Sequence, residues 1–135
     1  MAIQLSTTVR NAILDAVETA IGTSAVLKIR TGAAPANVAT ADSGTVLATL
    51  SLPSDWMAAA SSGSKALAGT WQDASADATG TAAHFRIYAS DGTTAHLQGT
   101  VTATGGGGDL TLDNTSIASG QSITITAFTI AAGNA

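Results

Sequence analysis

The sequence predicts a mainly β chain: an antiparallel, jelly-roll-like β-sandwich of about seven to eight strands behind one N-terminal α-helix. Three observations carry this reading. Apolar residues recur at helical spacing near the start of the chain, over about residues 6–21. From residue 25 to about 130, short runs alternate apolar and polar residues, the period of a strand with one buried face. Gly-, Ser- and Asn-rich turns separate those runs at short spacing, as in a sandwich rather than in βαβ units. The length of 135 residues suits one domain spanning 1–135.

Taken in order, the helix shows Val9, Ala12, Ile13, Ala16, Val17, Ala20 and Ile21 as one apolar stripe, expected to lie across a sheet or over one end of a sandwich, with an arm that docks on a neighbouring subunit as the alternative. Arg10, Asn11, Asp15 and Glu18 fall mostly on the opposite face. Ser6 or Thr7 can cap its start, and Gly22 is placed to end it. Residues 25–31 alternate as a first strand, with Ala25, Leu27 and Ile29 on one face. After a loop over 32–44, residues 45–52 form a second strand that Pro53 ends. Residues 54–64, with Trp56 and Met57, read as an irregular crossover, and 65–72, with Leu67 and Trp71, as a third strand.

The polar loop 73–79 leads to residues 81–90, where Ala83, Phe85, Ile87 and Ala89 alternate against His84, Arg86 and Tyr88. Asp91-Gly92 then signals a hairpin with a type I′ turn, which needs positive φ at both central positions. Residues 94–104 return with Leu97, Gly99 and Val101 on one face, and the glycines at 105–108 make a loop. Leu110 and Leu112 point inward from a short strand. A turn-rich link follows, and 121–130 closes the chain with Ile123, Ile125 and Ala127 inward, opposite Thr124, Thr126 and Phe128.

Composition narrows the function classes. Charged residues make up 10% and aromatic residues 4% of the chain, far below the roughly 25% charged that is usual. Such a sparse charge pattern suits a molecule that neighbours cover on several sides. The net charge is −4, and Arg10, Lys28, Arg30, Lys65 and Arg86 are scattered, so no basic stripe points to nucleic acid. Without cysteine there are no disulfides and no thiolate metal sites. No apolar run approaches the roughly 18 residues of a membrane span, and the N-terminus lacks the basic start and apolar core of a signal peptide. Neither nucleic acid nor membrane is an expected partner.

No catalytic constellation emerges. The glycines at 105–108 lead into a strand, whereas a phosphate-cradling loop leads into a helix. His84 and His96 are expected close together on one polar sheet face beside Arg86, Tyr88 and Gln98, but no third ligand completes a metal site. Asp73 and Asp77 lack the Gly and Glu of a calcium loop, and no serine occupies a G-x-S-x-G elbow. The expectation is a non-enzymatic protein with no cofactor and no metal. Its candidate interface residues are Trp56, Trp71, His84, Arg86, Tyr88 and His96, with the two tryptophans also suited to the core.

The stretches GTAAHFRIYASDGTTAHLQGTVT and GGGGDLTLDNTSIASGQSITITAFTI, with LSTTVRNAILDAVETAIG before them, resemble small structural virion proteins of tailed bacteriophages. Within that group the likeness is greatest to head decoration or cement proteins. The resemblance implies a β-sandwich that is assembled in the host cytoplasm onto the capsid exterior, where it bridges neighbouring major capsid subunits. It also implies self-association as a dimer or trimer. A tail-associated structural or host-glycan-binding module is the alternative.

Overall fold

The computed structural model describes residues 3–133. The chain opens with α1 (Thr7–Ile21), where the Ser6 hydroxyl accepts from the Val9 amide and the Gly22 amide closes the last turn on the Glu18 carbonyl. Among the described residues eleven strands follow: β1 (Val26–Arg30), β2 (Val46–Ser51), β3 (Ser64–Ala66), β4 (Trp71–Asp73), β5 (Gly80–Thr81), β6 (His84–Tyr88), β7 (Ala95–Ala103), β8 (Leu110–Leu112), β9 (Ser116–Ile117), β10 (Ile123–Ile125) and β11 (Thr129–Ala131). The protein is mainly β with one helix, as its alternation predicts. Its strands are shorter and more numerous than the expected seven to eight, and they fall into several sheets.

The principal sheet has five strands in the order β2-β1-β6-β7-β8. Its first four strands pair antiparallel. β8 instead runs parallel to β7, with Val101 opposite Leu110. Parallel neighbours normally need a crossover of a dozen or more residues, but here residues 104–109 suffice. A backbone turn from Ala103 to Gly106 reverses the chain, the Thr102 hydroxyl accepts from the Gly108 amide, and the Asp109 carboxylate accepts from both the amide and the hydroxyl of Thr100. Gly99 makes room for this return. A Cβ there would lie 2.7 Å from a Phe85 ring carbon and 2.9 Å from the Asp109 Cβ.

Two of the runs read as continuous strands are broken. Residues 65–72 divide between β3 and β4, and residues 121–130 between β10 and β11. The breaks have one cause, because β4 pairs with β10 and β3 with β11 in a single ribbon that slips by one residue. An extra residue within 67–70 accounts for the slip, as in a β-bulge. The alternation of side chains also breaks between β10 and β11. Phe128 is buried and Ala127 exposed, the reverse of the expected alternation.

The ribbon and the sheet enclose one contiguous core that includes Leu27, Ile29, Leu50, Phe85 and Ile87 from the sheet and Trp71, Ile123, Ile125 and Phe128 from the ribbon. An aromatic chain crosses it. Trp56 meets Trp71 at 5.9 Å between ring centroids, Trp71 meets Phe128 at 5.5 Å, and Phe128 meets Phe85 edge-on at 5.6 Å. The hairpin at Asp91-Gly92 forms, but not with the type I′ turn. Only Gly92 has positive φ, at 71°. The Asp91 carboxylate supports the turn by accepting from the Thr93 and Thr94 amides and the Thr94 hydroxyl. Those bonds hold its carboxyl well below the usual range.

Candidate interaction surface

The orientation of α1 creates the most unusual surface of the protein. Amphipathic helices ordinarily turn their apolar stripe to the core, and that is the expectation stated above for Val9, Ala12, Ile13 and Ala16. The structure reverses it. Val9 and Ile13 are 44% and 46% exposed, Ala12, Ala16 and Ala20 are also exposed, and Ile3 and Leu5 extend the apolar patch past the helix start. Leu14 and Ile21 are buried, with Val17 packed against the core.

The reason lies in the chain beneath the helix. Residues 54–63 run without regular pairing, and their amides need acceptors. The helix supplies these from its polar face. Glu18 accepts from the Met57 amide at 3.2 Å, Asp15 from the Ala60 amide at 2.9 Å, and Asn11 from the Gly63 amide at 2.9 Å. Lys65, on β3, extends its ammonium into the same seam and meets Asp15 at 2.7 Å and Glu18 at 2.9 Å. Arg10 donates to the Ala132 carbonyl, which ties the segment after β11 to the helix. The bonds from Lys65 and Ala60 lower the Asp15 carboxyl. Burial works against the Lys65 charge, but the paired carboxylates outweigh it and raise its ammonium. Each charged residue of α1 is thus engaged on its inner face, and the outer face is apolar and uncharged.

The polar sheet face was expected to carry candidate interface residues. It is instead covered by the protein's own 32–44 loop. His84, Arg86 and Tyr88 are 0%, 2% and 0% exposed. Asp42 reaches down from the loop and accepts from Arg86 and Arg30 at 2.7 Å each and from the Tyr88 hydroxyl at 2.8 Å. Arg86 also donates to the Asn37 and Thr40 carbonyls and to Gln98, and Gln98 donates to the Pro35 carbonyl. Burial tends to raise the Asp42 carboxyl, but the bonds from Tyr88 and Arg86 and the two guanidinium charges hold it below its usual value. Burial and the bond to Asp42 push the Tyr88 phenol up.

The two histidines do not meet. His84 faces Thr100 across the β6–β7 pair and bonds through Nδ1 to the Gly32 carbonyl at 2.7 Å. His96 is exposed at the other end of β7, four residues along the strand, which is about 13 Å. Among the described residues no three of His, Asp and Glu converge. Trp56 and Trp71 are both 0% exposed, and both indoles donate internally: Trp56 to the Gly22 carbonyl, Trp71 to the Trp56 and Ala68 carbonyls. Of the six candidate interface residues only His96 is exposed in the single chain.

One edge of the principal sheet, at β2, is occupied. The Thr49 amide on β2 donates to Asp73, and the Leu47 carbonyl accepts from the Asp77 amide. The outer face of α1 remains the largest uncovered apolar feature described. Sequence reasoning missed its orientation, although Asn11, Asp15 and Glu18 recur at helical spacing and hold the acceptors that an irregular neighbour needs. Compared with known proteins, the chain matches no family model, no curated protein and no solved structure.

Proposed function

We propose that this protein is a structural virion protein of a tailed bacteriophage: a head decoration or cement protein that binds the outer capsid surface and bridges major capsid subunits. The observation that carries the reading is the outward, uncharged apolar face of α1. Rimmed apolar surface of this kind marks a contact with another protein. A cement protein needs many modest contacts repeated over a lattice, so that avidity rather than one strong interface holds the shell. The low charge content suits a molecule with several covered sides, and the sequence resemblance supplies the particle.

On the same reading the sheet and ribbon form the two layers of a jelly-roll-like sandwich, supported by the Phe85–Phe128 contact between them. Cryo-electron microscopy of the parent particle tests the proposal. Density for this fold on the capsid exterior, bridging subunits, is the expected result. Density confined to the tail would move the protein to a tail-associated role, and its absence from the particle would overturn the assignment.

A further inference from the structure

The 32–44 loop covers the polar strip of β6, and we infer that this loop is a lid, latched by Asp42, that opens as a unit while the rest of the protein stays folded. The lid is independent of the assembly role proposed above.

The neck of the loop is fixed. The Thr31 amide donates to the Thr45 carbonyl at 3.1 Å, and the Thr45 amide donates to the Thr31 hydroxyl at 2.9 Å. Just inside this neck stand Gly32 and Gly44, with φ of 75° and 72°. Left-handed backbone of this kind suits glycine, and two such residues at the ends of a segment can absorb the φ and ψ changes of a hinge.

What holds the lid down is polar. No residue from 32 to 44 is buried, and none belongs to the core or packs against it. Instead, His84 Nδ1 bonds to the Gly32 carbonyl, Gln98 donates to the Pro35 carbonyl, and Arg86 donates to the Asn37 and Thr40 carbonyls. The Asp42 carboxylate gathers Arg30, Arg86 and Tyr88. It is the one charged group of the loop, and its removal takes away three of these attachments at once.

Such a seal opens more easily than the core. A hydrogen bond broken at a surface is largely replaced by one to water. The Arg30 and Arg86 side chains, only 8% and 2% exposed, regain the hydration that burial cost them. Arg30 Nε and His84 Nε2 lie buried without a protein partner, so opening gives them hydrogen bonds that the closed lid does not. Global unfolding must also expose the aromatic core, which places the lid at the low end of local stability.

Tyr88 makes the opening measurable. It is the only tyrosine of the chain and is 0% exposed, and its hydroxyl donates to Asp42. Tetranitromethane nitrates the ring carbons beside that hydroxyl, so nitration at fixed pH, read from the mass of the Tyr88 peptide, reports the open lid. In the wild-type chain the rate should stay flat at low urea, because lifting a loop exposes little surface, and climb only where global unfolding takes over. Leu14→Ala, in α1 and outside the loop network, should leave the rate in water within about twofold of wild type. Asp42→Asn should raise it by about tenfold or more. Gln98→Ala, which frees the Pro35 carbonyl, should raise it by about fivefold and serves as the lid variant if Asp42→Asn does not fold. If Tyr88 were reached only by global unfolding, Leu14→Ala would speed nitration by about thirtyfold or more, and urea would accelerate it from the first addition. Either result would overturn the lid. So would nitration that neither Asp42→Asn nor Gln98→Ala accelerates, because a different segment would then be the one that opens.

Discussion

Asp42 accepts hydrogen bonds from Arg30, Arg86 and Tyr88 together, and the two arginine side chains are only 8% and 2% exposed. Replacing the carboxylate leaves two nearly buried guanidinium groups without a counter-charge, which typically costs about 3 kcal/mol or more. Asp42→Asn should lower the urea midpoint accordingly, whereas Asp113→Asn, on an exposed residue, should change it by less than about 0.5 kcal/mol. The same groups set the pH dependence. Asp15, Asp42 and Asp91 are held below the ordinary 3.8, so their contribution is present above that pH and lost as the pH falls through the lowered values. Lys65 and Tyr88 are raised above 10.5 and 10.0, so theirs is complete below those values and lost as the pH rises through the raised ones. Melting temperature against pH should show a neutral plateau with an acid and an alkaline shoulder, and Asp42→Asn should flatten the acid one. This network was half legible. Alternation placed His84, Arg86 and Tyr88 on one face, but their cover is the 32–44 loop, and strand period says nothing about where a loop folds. The available signal was chemical: Asp42 is the one acid in that loop, and two arginines stand on the neighbouring strands.

At the scale of elements, α1 divides what the sequence determines from what it leaves open. Its limits follow from local chemistry, because Ser6 caps the first turn and Gly22 closes the last. Which face turns inward depends on what the helix covers. Asn11, Asp15 and Glu18 satisfy amides of the irregular 57–63 segment, and leaving those amides buried without partners would cost more than exposing two aliphatic side chains. Leu14→Ala should therefore destabilise the protein by about 2–3 kcal/mol. Ile13→Ala, measured in dilute protein, should stay within about 0.5 kcal/mol. The reverse ranking would mean that the stripe faces the core. A second element-scale test concerns the short parallel connection between β7 and β8. Gly99 is in contact range of both Phe85 and Asp109, so Gly99→Ala forces the ring or the loop to shift, and overpacking of this kind costs about 1–3 kcal/mol. Alternation marked Gly99 as inward facing but could not show that another segment returns against it.

Across the whole molecule, the aromatic chain from Trp56 through Trp71 and Phe128 to Phe85 joins the helix cap, the ribbon and the principal sheet. The sequence placed most of these residues in strands, but the one-residue slip in the ribbon arises from pairing between segments some sixty residues apart, and Phe128 turns inward in the break between β10 and β11. Strand periodicity within either segment cannot reveal it. Because Phe128 touches both a ribbon ring and a sheet ring, ribbon and sheet share one core and should unfold together. Both tryptophans of the chain lie in this cluster, so their fluorescence reports on the interior while far-ultraviolet circular dichroism reports on the sheets. The two denaturation curves should coincide. Phe128→Ala should shift both by the same amount, by about 3–5 kcal/mol. Loss of the tryptophan signal ahead of the dichroism would show that the ribbon opens while the sheet survives, and the two would then be independent units.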